Sequence, residues 1–331
     1  MYPWPDELTE VFDKSLTVTF VSITKSGQPI SVPLTPYVNP ETNTLDVSTG
    51  LTYPAKAERA RNNPCVSLLY SDPIGLSIDS PPVVLVQGHA AIRDNDLQAN
   101  TDRYIKLSSM KLPESTKGQP KIVLQRLPWY FARIWIEITP IEIFWWPNHN
   151  MALPPQHWQC DTNQVLPSSD PPPQGSNLPA WLSQPTQWMQ QADIAQAKLH
   201  LRDLSFVTQE GKIMSVPVQD VHQHAEGFSF ELPKCIEPLP AGKATMTFHN
   251  HPVKFTGQEN RTFLGAVESQ LGQDTIICNF NVRKVLADWS LPGNRLTMAV
   301  SFLSKGRKLA PRLKLEAERR NQPIPKVRFL K

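Results

Sequence analysis

The residues best suited to chemistry lie in one run, from Asp46 to Leu68. A β-type stretch ends in Ser48 and Thr49, and a short helical stretch then presents Lys56, Arg59 and Arg61. Hydroxyls at a strand end, beside a helix start with free backbone donors and a lysine, suit a phosphate. The same residues also suit an ordinary capped surface helix with solvated basic side chains, and spacing alone does not separate the two. Histidines form a second constellation, His222-x-His224 and His249-x-His251. Alternate residues of a strand face one way, so each pair has the spacing to ligate a metal or a haem iron. Both pairs also fall where hairpin ends are expected, and turns favour polar residues for local reasons. His89, beside Gly88, is a candidate proton donor. Gly-x-Ser-x-Gly, Walker-type and Gly-x-Gly-x-x-Gly signatures are absent. With only 14 glycines in 331 residues, any nucleotide site must rely on side chains and a helix start.

The elements that must position these residues read as short antiparallel strands with small helices. A helix is expected over 6–15, and a strand rich in β-branched residues over 16–24. A turn at Lys25–Gln28 leads to an extended run over 29–38 and a strand over 45–48. The Lys56 helix is expected over 53–62, opening at Pro54, where proline is tolerated. Strands follow over 66–70 and 82–93, a helix over 96–111, and a closing strand over 134–146. Such a meander points to a barrel rather than a parallel sheet. The segment 147–185 holds nine of the 33 prolines and reads as an extended strap. Its neighbourhood carries Trp158, Trp181 and Trp188, large rings that usually dock on something.

The pattern then restarts, with a helix over 187–199 and strands over 204–208 and 213–221. Phe20–Leu34 aligns with Leu204–Val218 at an offset of 184, with five identities in fifteen positions. Val66–Pro73 is matched to Thr245–Pro252, and the closing strands with Trp145 and Trp289 are matched in turn. This reads as a degenerate duplication of one barrel-like unit. The expected fold is mostly β, two tandem split β-barrel units of antiparallel strands. The expected boundaries are 1–147 for the first unit, 148–186 for the strap, 187–304 for the second unit and 305–331 for a basic tail.

The ordered set of Gly27–Leu34, Asp46–Leu68 and Val86–Ala90 resembles the pyridoxamine phosphate oxidase-like family of flavin-binding split barrels. The likeness covers residues of about 16–146 and is much weaker over 200–290. It implies an FMN held at a dimer interface, with Ser48, Thr49 and Lys56 on the phosphate. It further implies the backbone of Val32, Pro33 and Leu34 along the ring, Gln87 at the ring edge, and Trp145 or Trp146 closing the pocket. One departure is Glu58-Arg59 where the family often has Arg-Asn, which brings a carboxylate near the phosphate. In the second unit, Glu231–Pro240 carries three prolines in place of the Lys-bearing helix. A second phosphate site is therefore not expected. The second unit is expected to cover the first as an internal pseudo-dimer, with a homodimer of first units as the competing arrangement.

The expected function is that of an FMN-dependent oxidoreductase acting on a small molecule. A deazaflavin or haem in the same barrel, or a non-enzymatic flavin sensor, stays open. Proline is 33 of 331 residues, about twice the usual ~5%, which argues against a helical bundle. No run of about 18 apolar residues occurs, so no membrane span is expected. The acidic N-terminal stretch does not read as a secretory signal. Cys65, Cys160, Cys235 and Cys278 are far apart with no metal-type spacing. The resulting expectation is a cytoplasmic protein with free thiols. Residues 305–331 hold ten Lys/Arg against two Glu, a net of +8 that leaves −5 for the rest. That tail suits packing on the acidic body better than nucleic acid, because no aromatic-rich basic face accompanies it.

Overall fold

The computed structural model describes residues 2–115, 117–161, 165–179, 184–185, 187–287 and 295–329. Trp181 and Trp289 lie outside the described residues. The chain is mostly β and forms two antiparallel sheets, as the tandem split-barrel pattern required.

The first unit opens with a 3-10 turn, Asp6–Leu8, that runs into α1 (Thr9–Lys14). The β-branched run forms β1 (Val18–Ile23), buried at every position. Gly27, at φ 78°, turns the chain into β2 (Pro29–Leu34). Then come β3 (Tyr37–Asn39), β4 (Thr44–Gly50), α2 (Ala55–Asn62), β5 (Cys65–Tyr70) and β6 (Val83–Arg93). The α3 helix (Leu97–Lys111) starts at Asp96, whose carboxylate accepts from the Ala99 amide at 2.8 Å, an ordinary N-cap. Two short helices, α4 (Lys121–Leu124) and α5 (Pro128–Phe131), precede the long strand β7 (Arg133–Trp146). The sheet order is β2-β1-β5-β6-β7-β4-β3. The strap begins by pairing as β8 (Gln156–Gln159) with the second half of β7.

The second unit comprises α6 (Trp188–Lys198), β9 (Leu201–Val207), β10 (Ile213–Pro217), β11 (His222–Gln223) and β12 (Gly227–Pro233). It continues with β13 (Gly242–Asn250), β14 (Glu259–Leu271) and β15 (Thr275–Val285). Its order, β10-β9-β13-β14-β15-β12-β11, matches that of the first sheet strand for strand. The offset of 184 is kept in the ladders, where Phe20 opposes Val32 and Leu204 opposes Val216. Pro33 and Pro217 both sit on edge strands, the place where a missing N–H costs no ladder bond. The match of Val66–Pro73 to Thr245–Pro252 is one residue out of register. Phe20 opposes Leu68, and Leu204 opposes Met246. Side chains alternate in and out of a sheet, so a one-residue slip exchanges core and interface faces. The shared proline at the end of the run misplaced it.

Each sheet has its own apolar core. The second is dominated by Phe206, Phe228, Phe248, Phe263 and Phe280. The first gathers Phe12, Phe20, Leu68 and Ile136 and is completed by Leu309, Leu313 and Ala317. Those three residues belong to α7 (Arg295–Glu318), so residue 305 lies inside a helix that packs on the first unit. The faces between the units are polar and buried. Thr19 donates to Asp203 at 2.5 Å, Ser31 meets Thr247 at 2.6 Å, and Gln28 donates to the Ala244 carbonyl at 2.8 Å. The strap lies against the end of β6. Ser169 accepts from the Ile92 amide at 3.0 Å, and Asp170 from the Asp94 amide at 2.7 Å. Trp158 packs on the first core and Trp188 on the second.

Candidate functional site

A cavity of about 1070 Å³ lies between the two units. Val32, Pro33 and Leu34 of β2 form one wall, and Ser48, Thr49 and Lys56 form another. Thr256, Gln258, Asn260 and Thr262 close it from the second unit. Arg312 of α7 and Leu178 of the strap complete the rim. All of these groups come from one chain.

The wall carrying Lys56 follows from a tight strand-to-helix turn. Thr49 Oγ1 donates to the Tyr53 carbonyl at 3.0 Å, and the Tyr53 amide donates to the Gly50 carbonyl at 2.8 Å. Thr49 is buried and its hydroxyl proton is spent on the turn. Ser48 faces the cavity, and its hydroxyl has no partner among the described residues. Gly50 opposes Arg133 across the β4–β7 ladder. A Cβ at Gly50 would stand 3.1 Å from Arg133 Nη1, so bare backbone lets the guanidinium come close.

Three cations share this region. Lys56 is half-buried and has no hydrogen bond or ion pair among the described residues. Burial, reinforced by the charges of Arg59 and Arg133, pulls its ammonium down to about 8. Arg59 donates to Ser22 Oγ at 3.0 Å, and burial lowers its guanidinium to about 10. Arg133 lies 3.9 Å over the Tyr104 ring and 5.4 Å from that of Tyr130, and its Nε is buried with no hydrogen-bond partner. None of the three meets a carboxylate among the described residues. Cations taken from water without a counter-ion are costly, so the cavity favours an anion. Glu58 does not offset them. Its carboxylate is 3.4 Å from Arg61 and 3.1 Å from Arg320, so the negative charge expected beside the phosphate is already matched.

Gln87 and Trp145 do not line the cavity. Gln87 faces the other unit and donates to the Ile213 carbonyl at 3.0 Å. Trp145 is packed in the first core and Trp146 in the second. Both side chains follow from the in-and-out alternation of β6 and β7, which sequence spacing left unassigned. His89 meets the Pro167 carbonyl of the strap at 3.2 Å. The histidine pairs also part company. His249 binds Asp203 at 3.0 Å, His251 binds Asp72 at 2.5 Å, and His224 accepts from the Glu226 amide at 3.2 Å. No histidine lines the cavity, and no cluster of metal-ligating side chains occurs among the described residues. In the second unit the Pro-rich segment meets the strap, where Cys235 Sγ donates to the Met151 carbonyl at 2.9 Å. Sequence reasoning missed Arg133, Tyr37, Tyr104 and Arg312. Each is brought in by ladder or helix packing from far along the chain. The one local signal was an arginine at the start of a predicted strand.

Solved structures similar to this chain include pyridoxamine 5'-phosphate oxidase-related proteins, among them one from Listeria innocua that is 18% identical with a TM-score of 0.29, over 42% of this chain and 94% of its own. An FMN-binding protein of that relation from Nostoc punctiforme PCC 73102 is 12% identical with a TM-score of 0.33, over 66% of this chain and 98% of its own. An F420 reductase is 18% identical with a TM-score of 0.33, over 42% of this chain and 98% of its own. HutZ, the haem storage protein of Vibrio cholerae, is 16% identical with a TM-score of 0.29, over 42% of this chain and 91% of its own. No protein-family model and no curated protein matches the chain. Among the described residues no helix is long and apolar enough to cross a membrane.

Proposed function

We propose that the chain binds flavin mononucleotide in the cavity between its units and acts as a flavin-dependent oxidoreductase on a small molecule. The observation that carries this reading is the pair Lys56 and Arg59, cations that line one cavity near the Ser48 hydroxyl without a carboxylate partner among the described residues. A phosphate monoester brings about −1.5 to −2 charges at neutral pH and suits such a pair. In this reading the Ser48 hydroxyl and the Lys56 ammonium hold the phosphate, and Arg59 stands behind them. The backbone of Val32, Pro33 and Leu34 borders the ring. Thr49 acts through the turn, because its hydroxyl already serves Tyr53. The bound flavin supplies hydride chemistry. The chain supplies charge, orientation and cover, the last from Gln258 and Asn260 of the second unit and from Arg312.

Both walls belong to one chain, so in this reading the second unit acts as the internal partner. The site then takes one ligand per chain. A deazaflavin fits the same anion-seeking wall and is the second reading. Haem draws no support from the cavity, since no histidine lines it among the described residues.

Titration of the full-length protein with FMN, followed by flavin fluorescence, tests the reading. We expect one FMN per chain and at least a tenfold loss of affinity in Lys56→Ala. Absence of FMN binding overturns the flavin reading, and binding of a deazaflavin instead moves it to the second. Bound FMN that no nicotinamide cofactor reduces favours a sensor over an enzyme.

A further inference from the structure

The cations of the cavity outnumber the charge of one phosphate. Lys56, Arg59 and Arg133 bring three positive charges, whereas a phosphate monoester brings about −1.5 to −2. The other cations nearby are held by protein groups or reach solvent. Lys117 pairs with Glu114 at 2.7 Å, Arg312 donates to the carbonyls of Thr52, Leu178 and Pro179, and Lys25 is exposed. One buried cation therefore stays uncompensated when the phosphate is in place. Arg133 is that cation, because its guanidinium leans on Tyr104 and Tyr130 and its Nε has no partner among the described residues, whereas Arg59 is tied to Ser22.

A second, independent orphan lies beside it. Tyr37 is 4% exposed and lines the cavity, and its hydroxyl has no partner among the described residues. Its ring is fixed by stacking on Trp135 at 5.4 Å, and Trp135 Nε1 donates to Asp46 at 2.8 Å. A held phenol with an unused hydroxyl, next to a guanidinium with an unused Nε, offers donors and no fixed acceptor charge. Buried polar groups left unpaired are costly, and a ligand oxyanion offers an acceptor to both. Leu34, Leu112 and Val123 make the surrounding wall apolar.

We infer that Arg133 and Tyr37 form a second subsite, distinct from the phosphate wall, that takes the carboxylate of a small substrate with an apolar body. This rests on the flavin reading only for the charge count, since the two orphaned donors stand without it. A single residual charge favours a carboxylate over a second phosphate, and the guanidinium fork matches carboxylate geometry. A neutral analogue of equal shape can accept from the Nε through its carbonyl oxygen, but it brings no charge and no second acceptor oxygen for the guanidinium fork.

The test is calorimetric titration of the full-length protein with benzoate and hexanoate, with benzamide as the neutral isostere, in the presence and absence of FMN. We expect both carboxylates to bind one per chain and benzamide to bind at least tenfold more weakly. Arg133→Gln is expected to lose at least tenfold in benzoate affinity while FMN affinity stays within threefold. Tyr37→Phe keeps the stacking on Trp135 and is expected to weaken benzoate several-fold with an unchanged melting temperature. Carboxylates that fail to bind, that bind no better than benzamide, or that bind Arg133→Gln as well as the parent overturn the subsite. An equal loss of FMN and benzoate in Arg133→Gln also overturns it, by merging the two sites. Benzoate binding without FMN binding removes the flavin reading and leaves the subsite standing. FMN binding without benzoate binding does the reverse.

Discussion

Lys56 sits well below the usual lysine range because it is buried, with two arginines and no anion beside it among the described residues. Burial and two arginine charges hold its ammonium at about 8, so a good part of the unliganded protein loses that proton at mildly alkaline pH. A bound dianion restores the charge and raises the value. Ligand affinity should therefore fall by up to tenfold per pH unit above about 8, and below pH 7 it should fall again as the ligand phosphate, with a second pKa of about 6, takes up a proton. FMN titrations from pH 6 to 10 measure this, and Lys56→Met should be weaker throughout and flat above pH 8. An unchanged slope in that variant would move the titrating group elsewhere. At this scale the sequence was informative where chemistry is local. Ser48 and Lys56 lie on one strand-turn-helix, and their spacing alone sets them side by side. Thr49 shared that spacing, yet its hydroxyl was claimed by a backbone carbonyl four residues on, a competition that residue type does not reveal.

The α2 helix carries Lys56 on one side and Glu58 on the other, and the far side is locked by a buried ion network. Arg320 reaches Asp94 at 2.8 Å, Glu58 at 3.1 Å and Glu316 at 2.8 Å, while Arg61 reaches Asp94 at 2.7 Å. The Arg320 side chain is 2% exposed. Removing one member of such a network leaves its partners charged and dry, which typically costs about 3–5 kcal/mol. Arg320→Ala should therefore lose that order of stability in urea unfolding. Lys314→Ala, which breaks an exposed pair with Glu318, should lose no more than about 1 kcal/mol. The basic tail thus owes part of its charge to fastening the helix behind the site. A second prediction concerns the β6–β7 bulge at Gln87/Gly88. A Cβ on Gly88 would stand 2.5 Å from Ile138 Cγ2 and 3.0 Å from the Thr139 carbonyl. Gly88→Ala should cost about 1–3 kcal/mol by overpacking, read from the thermal midpoint. Most elements were legible because β-branched runs and turn residues are local signals. The β8 strand was not, since Gln156–Gln159 pairs only where β7 leaves an edge free. The register of β13 was not either, because a shared proline spoke louder than the alternation of Ala244, Met246 and Phe248.

The two units meet across polar faces, and one contact there responds to pH. His251 Nε2 lies 2.5 Å from Asp72 Oδ2, and Thr17 donates to the same oxygen at 2.7 Å. Burial opposes both charges. The bond from His251 nevertheless holds Asp72 below its ordinary 3.8, and Asp72 holds His251 above its ordinary 6.5. The aspartate contributes stability above about 4 and loses it as pH falls through its lowered value. The histidine contributes fully below about 6.5 and loses it as pH rises through its raised value. The pair therefore supports the unit–unit contact most between about pH 4 and 6.5. The melting temperature of the parent should drop relative to His251→Gln as pH rises from 6.5. Parallel curves would remove the pair from the pH response. At the scale of the molecule, the order of strands was readable from repeated turns and prolines. The partnership of the units was not, because His251 and Asp72 lie 179 residues apart and no local rule joins them.

The matched strand order has one more consequence. In a symmetric pair of identical chains, every substitution is made twice, once in each copy, and a change that improves one role must be tolerated in the other. Here β2 lines the cavity while β10, its positional equivalent, does not. The Lys56 helix and the Pro233–Pro240 segment that stands in its place are written separately in one chain. Residues that bind and residues that cover can therefore change one at a time.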